Sequence, residues 1–192
     1  MKAGLDKKQI VEVAAGLADE KGMGQVTLKV LADMLGVKPP SLYKHLPGGL
    51  EELHRELMLY GWRLLESEIT GAAIGKSKDE AITGICHAYR HFVGQHKGVF
   101  TAMQWHNMYQ SEAHMQASRG TLRVLFQVLD AYGVSEEEKV HIGRMLRGFL
   151  QGFSTIESHG GFGDPTAIDD SFDFAIKTIL SGIRDWKGGT AQ

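Results

Sequence analysis

The stretch VTLKVLADMLGVKPPSLYKHLPGGLEEL, Val26 to Leu53, decides the fold. Thr27 can cap a helix with its hydroxyl. Leu28, Leu31, Ala32 and Leu35 recur at helical spacing and mark one apolar face. Ala32 is small where a second helix must approach closely. Gly36 permits the left-handed backbone that ends a helix, and Val37 is an apolar anchor in the turn behind it. Pro39 suits the first position of the next helix, where the missing N–H would have no partner. Leu42 and Leu46 face the core, which leaves Ser41, Tyr43, Lys44 and His45 mostly outside. Pro47-Gly48-Gly49 stops the element.

This is the layout of a DNA-binding helix-turn-helix with Pro39–His45 as the recognition helix. A generic helix pair joined by glycine has a similar apolar skeleton. The spacing Ala32, Gly36, Val37, followed by a short polar-faced helix, favours DNA. Upstream, Asp6 with Gln9 reads as a capping box. It opens a helix whose apolar face is Ile10, Val13, Ala14 and Leu17 and which Gly22 ends. This helix completes a three-helix unit, and Lys7 and Lys8 near its start could reach a phosphate backbone, the alternative being that they are simply solvated.

Downstream, a longer helix is expected from Leu50 to about Ile69, with Leu53, Leu57, Tyr60, Leu64 and Leu65 inward and a break at Gly71–Lys76. Ser77 with Glu80 is a second capping box, opening a helix to about Val93. A short segment from Val99 to Trp105 follows, then a helix from about Glu112 to Ala131. Ser135 with Glu138 is a third capping box. It begins a long helix through Ile142, Met145, Leu146, Phe149, Phe153 and Ile156. After the loop Gly160–Pro165, Asp169 and Asp170 suit the first turn of a last helix, where carboxylates meet the positive end of the dipole. No stretch alternates as a strand does, so the fold class is all-α. The expected domains are a helix-turn-helix DNA-binding domain at 1–49, a larger helical ligand-binding and dimerisation domain at 50–187, and a disordered tail at 188–192.

At 192 residues the chain suits one compact domain or two small ones. The formal charge is −2, split as +1 through Arg55 and −3 beyond it. Basic groups must therefore be well placed rather than numerous if DNA is bound. Cys86 is the single cysteine. It excludes an internal disulfide and a multi-Cys zinc site, and it fits a reducing compartment. No apolar run approaches the roughly 20 residues that span a bilayer, and no signal-peptide core begins the chain, so a cytoplasmic protein is expected. No phosphate loop, Gly-x-Ser-x-Gly or His-Glu-x-x-His is present, so no enzyme, no catalytic residue and no cofactor are expected.

The front resembles the TetR family of bacterial transcriptional regulators, on VTLKVLADMLGVKPPSLYKHLPG, Val26 to Gly48. The back resembles the subgroup with a WHG-type ligand domain. That match rests on Gly152-Phe153-Ser154-Thr155-Ile156-Glu157, Gly160-Gly161-Phe162-Gly163 and Ser171-Phe172. The resemblance implies a homodimer, with the last two long helices of each subunit forming a four-helix bundle and Phe153, Ile156, Phe172, Ile176 and Ile179 at the interface. It implies a small-molecule effector whose binding changes the separation of the recognition helices, most simply as a repressor on double-stranded operator DNA. By position, the DNA contacts are Thr27, Lys38, Pro39, Ser41, Tyr43, Lys44 and His45. Gly49 departs from the Lys common there, Leu46 from the usual Phe, and Gln151 from a His that often precedes the Gly-Phe pair.

Pro39 and Pro40 offer no amide to a phosphate, so the amides of Ser41 and Leu42 are expected to anchor more. No arginine precedes Arg55, so the commonest reader of guanine is missing. Lys44 is the best candidate for a base edge, and DNA shape should carry part of the specificity. For the effector pocket, the Met and aromatic residues form an adaptable apolar wall. The candidates are Trp62, Tyr89, Phe92, Phe100, Met103, Trp105, Met108, Tyr109, Phe126, Met145 and Phe149. The competing reading is an all-α metal-binding protein or small-molecule hydrolase. It would use the His-rich middle, His87 and His91 on one helix face with His96, His106 or His114; no metal ligand set is expected. A third reading is a structural DNA-associated dimer with a filled core.

Overall fold

The computed structural model describes residues 5–107 and 111–186. Among these the chain is helical and has no strand. The helices are α1 (Lys7–Lys21), α2 (Leu28–Leu35), α3 (Pro39–Leu42), α4 (Gly49–Ala73), α5 (Lys78–Gln95), α6 (Lys97–Met103), α7 (Glu112–Leu129), α8 (Glu136–Ser158) and α9 (Ile168–Asp185). Short 3₁₀ turns lie at Met23–Gln25, Gln104–Asn107 and Asp130–Tyr132. Among the described residues no helix is long and apolar enough to cross a membrane.

The helix boundaries follow local chemistry. Asp6 accepts from the Gln9 amide at 2.7 Å while Gln9 Oε1 accepts from the Asp6 amide, closing the capping box of α1. Ser135 and Glu138 do the same for α8. The box expected at Ser77 does not form. Lys78 enters α5 with φ +47, outside the helical region, and the described residues hold no side-chain bond between Ser77 and Glu80. α4 runs one turn beyond the expected end, through Gly71. A single glycine in a helix costs only about 1 kcal/mol, and the chain turns at Gly75 instead.

The chain divides into two compact units. The first comprises residues 1–64 and 95–118, the second residues 65–94 and 119–192. The first contains the whole expected DNA-binding segment and adds the front of α4, α6 and the start of α7. The tail at 188–192 lies outside the described residues.

The core of the first unit is Ile10, Ala14, Leu31, Ala32, Leu42, Leu46, Leu53 and Leu57, all fully buried. α6 begins against the end of α1. Asp19 Oδ1 accepts from the amides of Gly98 and Val99, each at 2.9 Å, and Asp19 Oδ2 lies 2.8 Å from His96 Nδ1. These amides open a helix and have no intrahelical acceptor, so a carboxylate from another helix supplies the cap. In the second unit Phe172 is enclosed by Phe149, Phe153 and His87, with ring centroids at 5.6, 5.0 and 5.3 Å. The Arg90 guanidinium lies 4.8 Å above the Phe172 ring and bonds Glu157 and Asp169, both at 2.7 Å. These contacts tie α5 to α8 and α9.

Candidate functional site

The helix-turn-helix forms from the residues that specified it. Thr27 Oγ1 accepts from the Val30 amide at 3.2 Å. Gly36 closes α2 with φ +66 in the left-handed region, and the Val37 amide reaches back to the Ala32 carbonyl at 3.0 Å. Lys38, extended, leads into Pro39 and Pro40 at the start of α3. The recognition helix is shorter than expected. α3 closes at Leu42, and Tyr43–His45 continue as turns held by bonds from the His45 and Leu46 amides to the Leu42 carbonyl, at 2.9 and 2.8 Å.

Leu42 and Leu46 are fully buried and pin this turn to the core. Thr27, Lys38, Pro39, Tyr43 and Lys44 are exposed, and Ser41 and His45 are half-buried. Lys29 and Pro40 share the exposed surface. The seven expected contact residues thus lie on one short stretch of the first unit. One expectation changes: the Ser41 amide donates to the Lys38 carbonyl at 2.8 Å and is not available to a phosphate. Lys7 is likewise engaged. Its Nζ lies 2.6 Å from Glu52 and 3.4 Å from Glu56 on α4. The hydrogen bond from Lys7, with a second from the Gly48 amide, holds the Glu52 carboxyl below its ordinary range. Lys8 stays exposed, 3.8 Å from Glu12.

Gly49 takes φ +63. A Cβ there would lie 3.4 Å from Tyr43 Cε1 and 3.8 Å from a Leu28 methyl. The Tyr43 ring therefore rests against the Gly49 backbone.

The expected effector residues are divided between the two units. Trp62, Phe100 and Met103 are buried in the first, where Trp105 is half-buried. Phe92 is buried in the second, where Phe126 and Phe149 are half-buried and burial pushes the Tyr89 phenol up to about 12. Met145 is 45% exposed on α8 and faces outward. Met108 and Tyr109 lie outside the described residues. Two residues that the sequence reading passed over join the first-unit group. His54, Met58 and Trp62 share one face of α4 at intervals of four. His54 meets the Trp105 ring edge-on at 4.9 Å, and His114, 5% exposed, meets Trp62 at 6.0 Å. The 54-58-62 spacing was the available signal.

Of the expected interface residues, Phe172 and Ile176 are buried within the protomer's own second unit and belong to its core. Phe153 and Ile179 are half-buried and Ile156 is exposed. The outward apolar groups on α8 and α9 are Met145, Ile156 and Phe174, the last 72% exposed. Gly148 and Gly152 lie between Met145 and Ile156 on α8 and are exposed, with open space where a Cβ would stand on either.

His87 Nε2 is 3.1 Å from Asp173, and His96 is held by Asp19. No group of three His, Cys, Asp or Glu side chains among the described residues is set to hold an ion.

Residues 82–179 match the family described as "Tetracyclin repressor-like, C-terminal domain". The chain is 29% identical over 180 residues to the HTH-type transcriptional regulator YobS of Bacillus subtilis, covering 94% of this chain and 93% of that one. It is 29% identical over 196 residues to the HTH-type transcriptional regulator Rv0681 of Mycobacterium tuberculosis, covering 99% and 88%. Its fold is similar to that of a TetR variant from Acinetobacter baumannii solved with minocycline. The TM-score is 0.71 and the identity 19%, with 93% of this chain and 96% of that chain covered.

Proposed function

The chain belongs to the TetR family of transcriptional regulators, and on that ground we propose that it is a repressor that binds operator DNA as a homodimer and changes affinity when a small molecule occupies its helical domain. It fits the subgroup with the WHG-type ligand domain. The first 49 residues bind DNA, residues 50–187 take the effector and the partner copy, and the chain acts in the cytoplasm, where its operator is. No catalytic step is part of this role.

The observation that carries the proposal is the surface of the helix-turn-helix. Leu31, Ala32, Leu42 and Leu46 are fully buried, while Lys38, Tyr43 and Lys44 stand exposed beside the Thr27 cap. Buried leucines fix the register of the turn, and the outward residues are then free to meet a duplex. With the Ser41 amide already bonded, phosphate anchoring rests more on side chains: Thr27, Lys38, the Ser41 hydroxyl, Tyr43 and His45. Lys44 meets the major-groove edge. Minocycline in the Acinetobacter structure makes a small-molecule effector a reasonable partner here.

The test is fluorescence anisotropy with the DNA upstream of the chain's own gene. Expected are two half-sites about one helical turn apart and an affinity that falls steeply with salt. Lys44→Ala should weaken binding roughly tenfold, about 1.4 kcal/mol, with an unchanged melting temperature. Undiminished binding by that variant, or a monomer with no salt-sensitive attachment to DNA, overturns the proposal.

A further inference from the structure

Several polar groups of the first unit are matched within it. Lys7 has Glu52 and Glu56, and Asp19 has His96 and two amides. His54 is not matched in this way. Its Nε2 is shielded from solvent and has no hydrogen-bond partner among the described residues. Buried polar atoms are nearly always bonded, so an orphaned one asks for a missing partner. The surroundings say what kind. Trp105 presents its ring at 4.9 Å and 65° to the imidazole, and Met58 and Trp62 continue the same face of α4. Indole rings and a thioether favour a flat aromatic guest. Burial lowers the His54 pKa, so the imidazole is neutral at pH 7 and offers a hydrogen bond rather than a charge. A hydroxyl can both give and accept, so it satisfies Nε2 whichever ring nitrogen carries the hydrogen.

We propose that the effector is a planar aromatic compound bearing a hydroxyl group, bound with the hydroxyl on His54 Nε2 and its ring against Trp105. This rests on the reading of the chain as an effector-responsive regulator and names the class of molecule it answers to.

The experiment compares 2-naphthol with 2-methoxynaphthalene, which has the same ring with the hydroxyl capped, by calorimetric titration of the full chain. The wild type should prefer 2-naphthol by roughly tenfold or more, because a site built for a hydroxyl discriminates against an analogue lacking it. In His54→Phe, with helicity by circular dichroism unchanged, the two compounds should bind alike. Equal affinities in the wild type, no binding of either compound, or a preference that survives in the variant overturns the proposal. The wild-type comparison decides the matter by itself if the variant does not fold. Operator titration on the same preparation separates the two readings. DNA bound without naphthol discrimination removes only the ligand class, whereas loss of DNA binding removes the regulator reading.

Discussion

Gly98 at the start of α6 lies directly against the Ala18 peptide near the end of α1: a Cβ built on it would fall 2.1 Å from the Ala18 carbonyl carbon and oxygen. The obstacle is backbone, which cannot rotate away. Gly98→Ala should therefore destabilise the protein by about 1–3 kcal/mol or more, as overpacking does. Gly16, within α1, has nothing within 4 Å of the equivalent position. Gly16→Ala should stabilise by about 0.5–1 kcal/mol through helix propensity. Urea denaturation of the two variants checks both signs, and similar midpoints would contradict the packing described.

Asp19 is the second fastening of the same corner. Asp19→Ala removes the acceptor of two helix-opening amides and the partner of His96. A loss of about 1–2 kcal/mol is expected, in the range of a lost helix cap. Asp19→Asn, which keeps one acceptor oxygen, should lose less. Equal losses in the two variants, measured by the same denaturation, would argue that the cap contributes little.

Burial holds the His54 imidazole below its ordinary 6.5 in the folded chain. Above that pH the residue is neutral whether folded or not and contributes no pH dependence. As the pH falls through about 6.5 the unfolded chain takes up the proton first, so the folded state loses ground. Melting temperatures from pH 7 to about 5 should fall less steeply in His54→Phe than in the wild type. Parallel curves would show that the imidazole titrates alike in both states.

Phe174 on α9 is the largest apolar group left outside on the last two helices. If those helices pair with a second copy, Phe174→Glu should convert the dimer to monomer in sedimentation experiments while leaving helicity intact. Phe172→Glu should instead unfold the protomer, because that ring is buried in it. A Phe174→Glu dimer as tight as the wild type would place the interface elsewhere.

How legible each part was follows from the range of the interactions that made it. The caps at Asp6, Thr27 and Ser135, and the left-handed Gly36, are local bonds spanning a few residues, and they appear where the residue types called for them. The Ser77 box failed because Lys78 takes an unfavoured backbone angle, which residue identity does not foretell. The Asp19 cap on α6 and the Lys7 bond to Glu52 join residues 79 and 45 positions apart, so periodicity could not reveal them. The same limit applied to Phe172 and Phe174. Both are phenylalanines on one helix, two residues apart, and only the tertiary packing buries one and exposes the other. His54 was passed over because a lone histidine among charged neighbours reads as a surface residue.

Between Gly36 and Gly49 the chain owes its shape to two left-handed corners and to the inward leucines Leu42 and Leu46. The exposed Lys38 and Lys44 of that segment can be exchanged without disturbing the frame that holds them. On the proposed function, a change of genomic address for this molecule thus requires only a few surface substitutions, and the same scaffold could be retargeted while its responsiveness to a chemical signal is inherited intact.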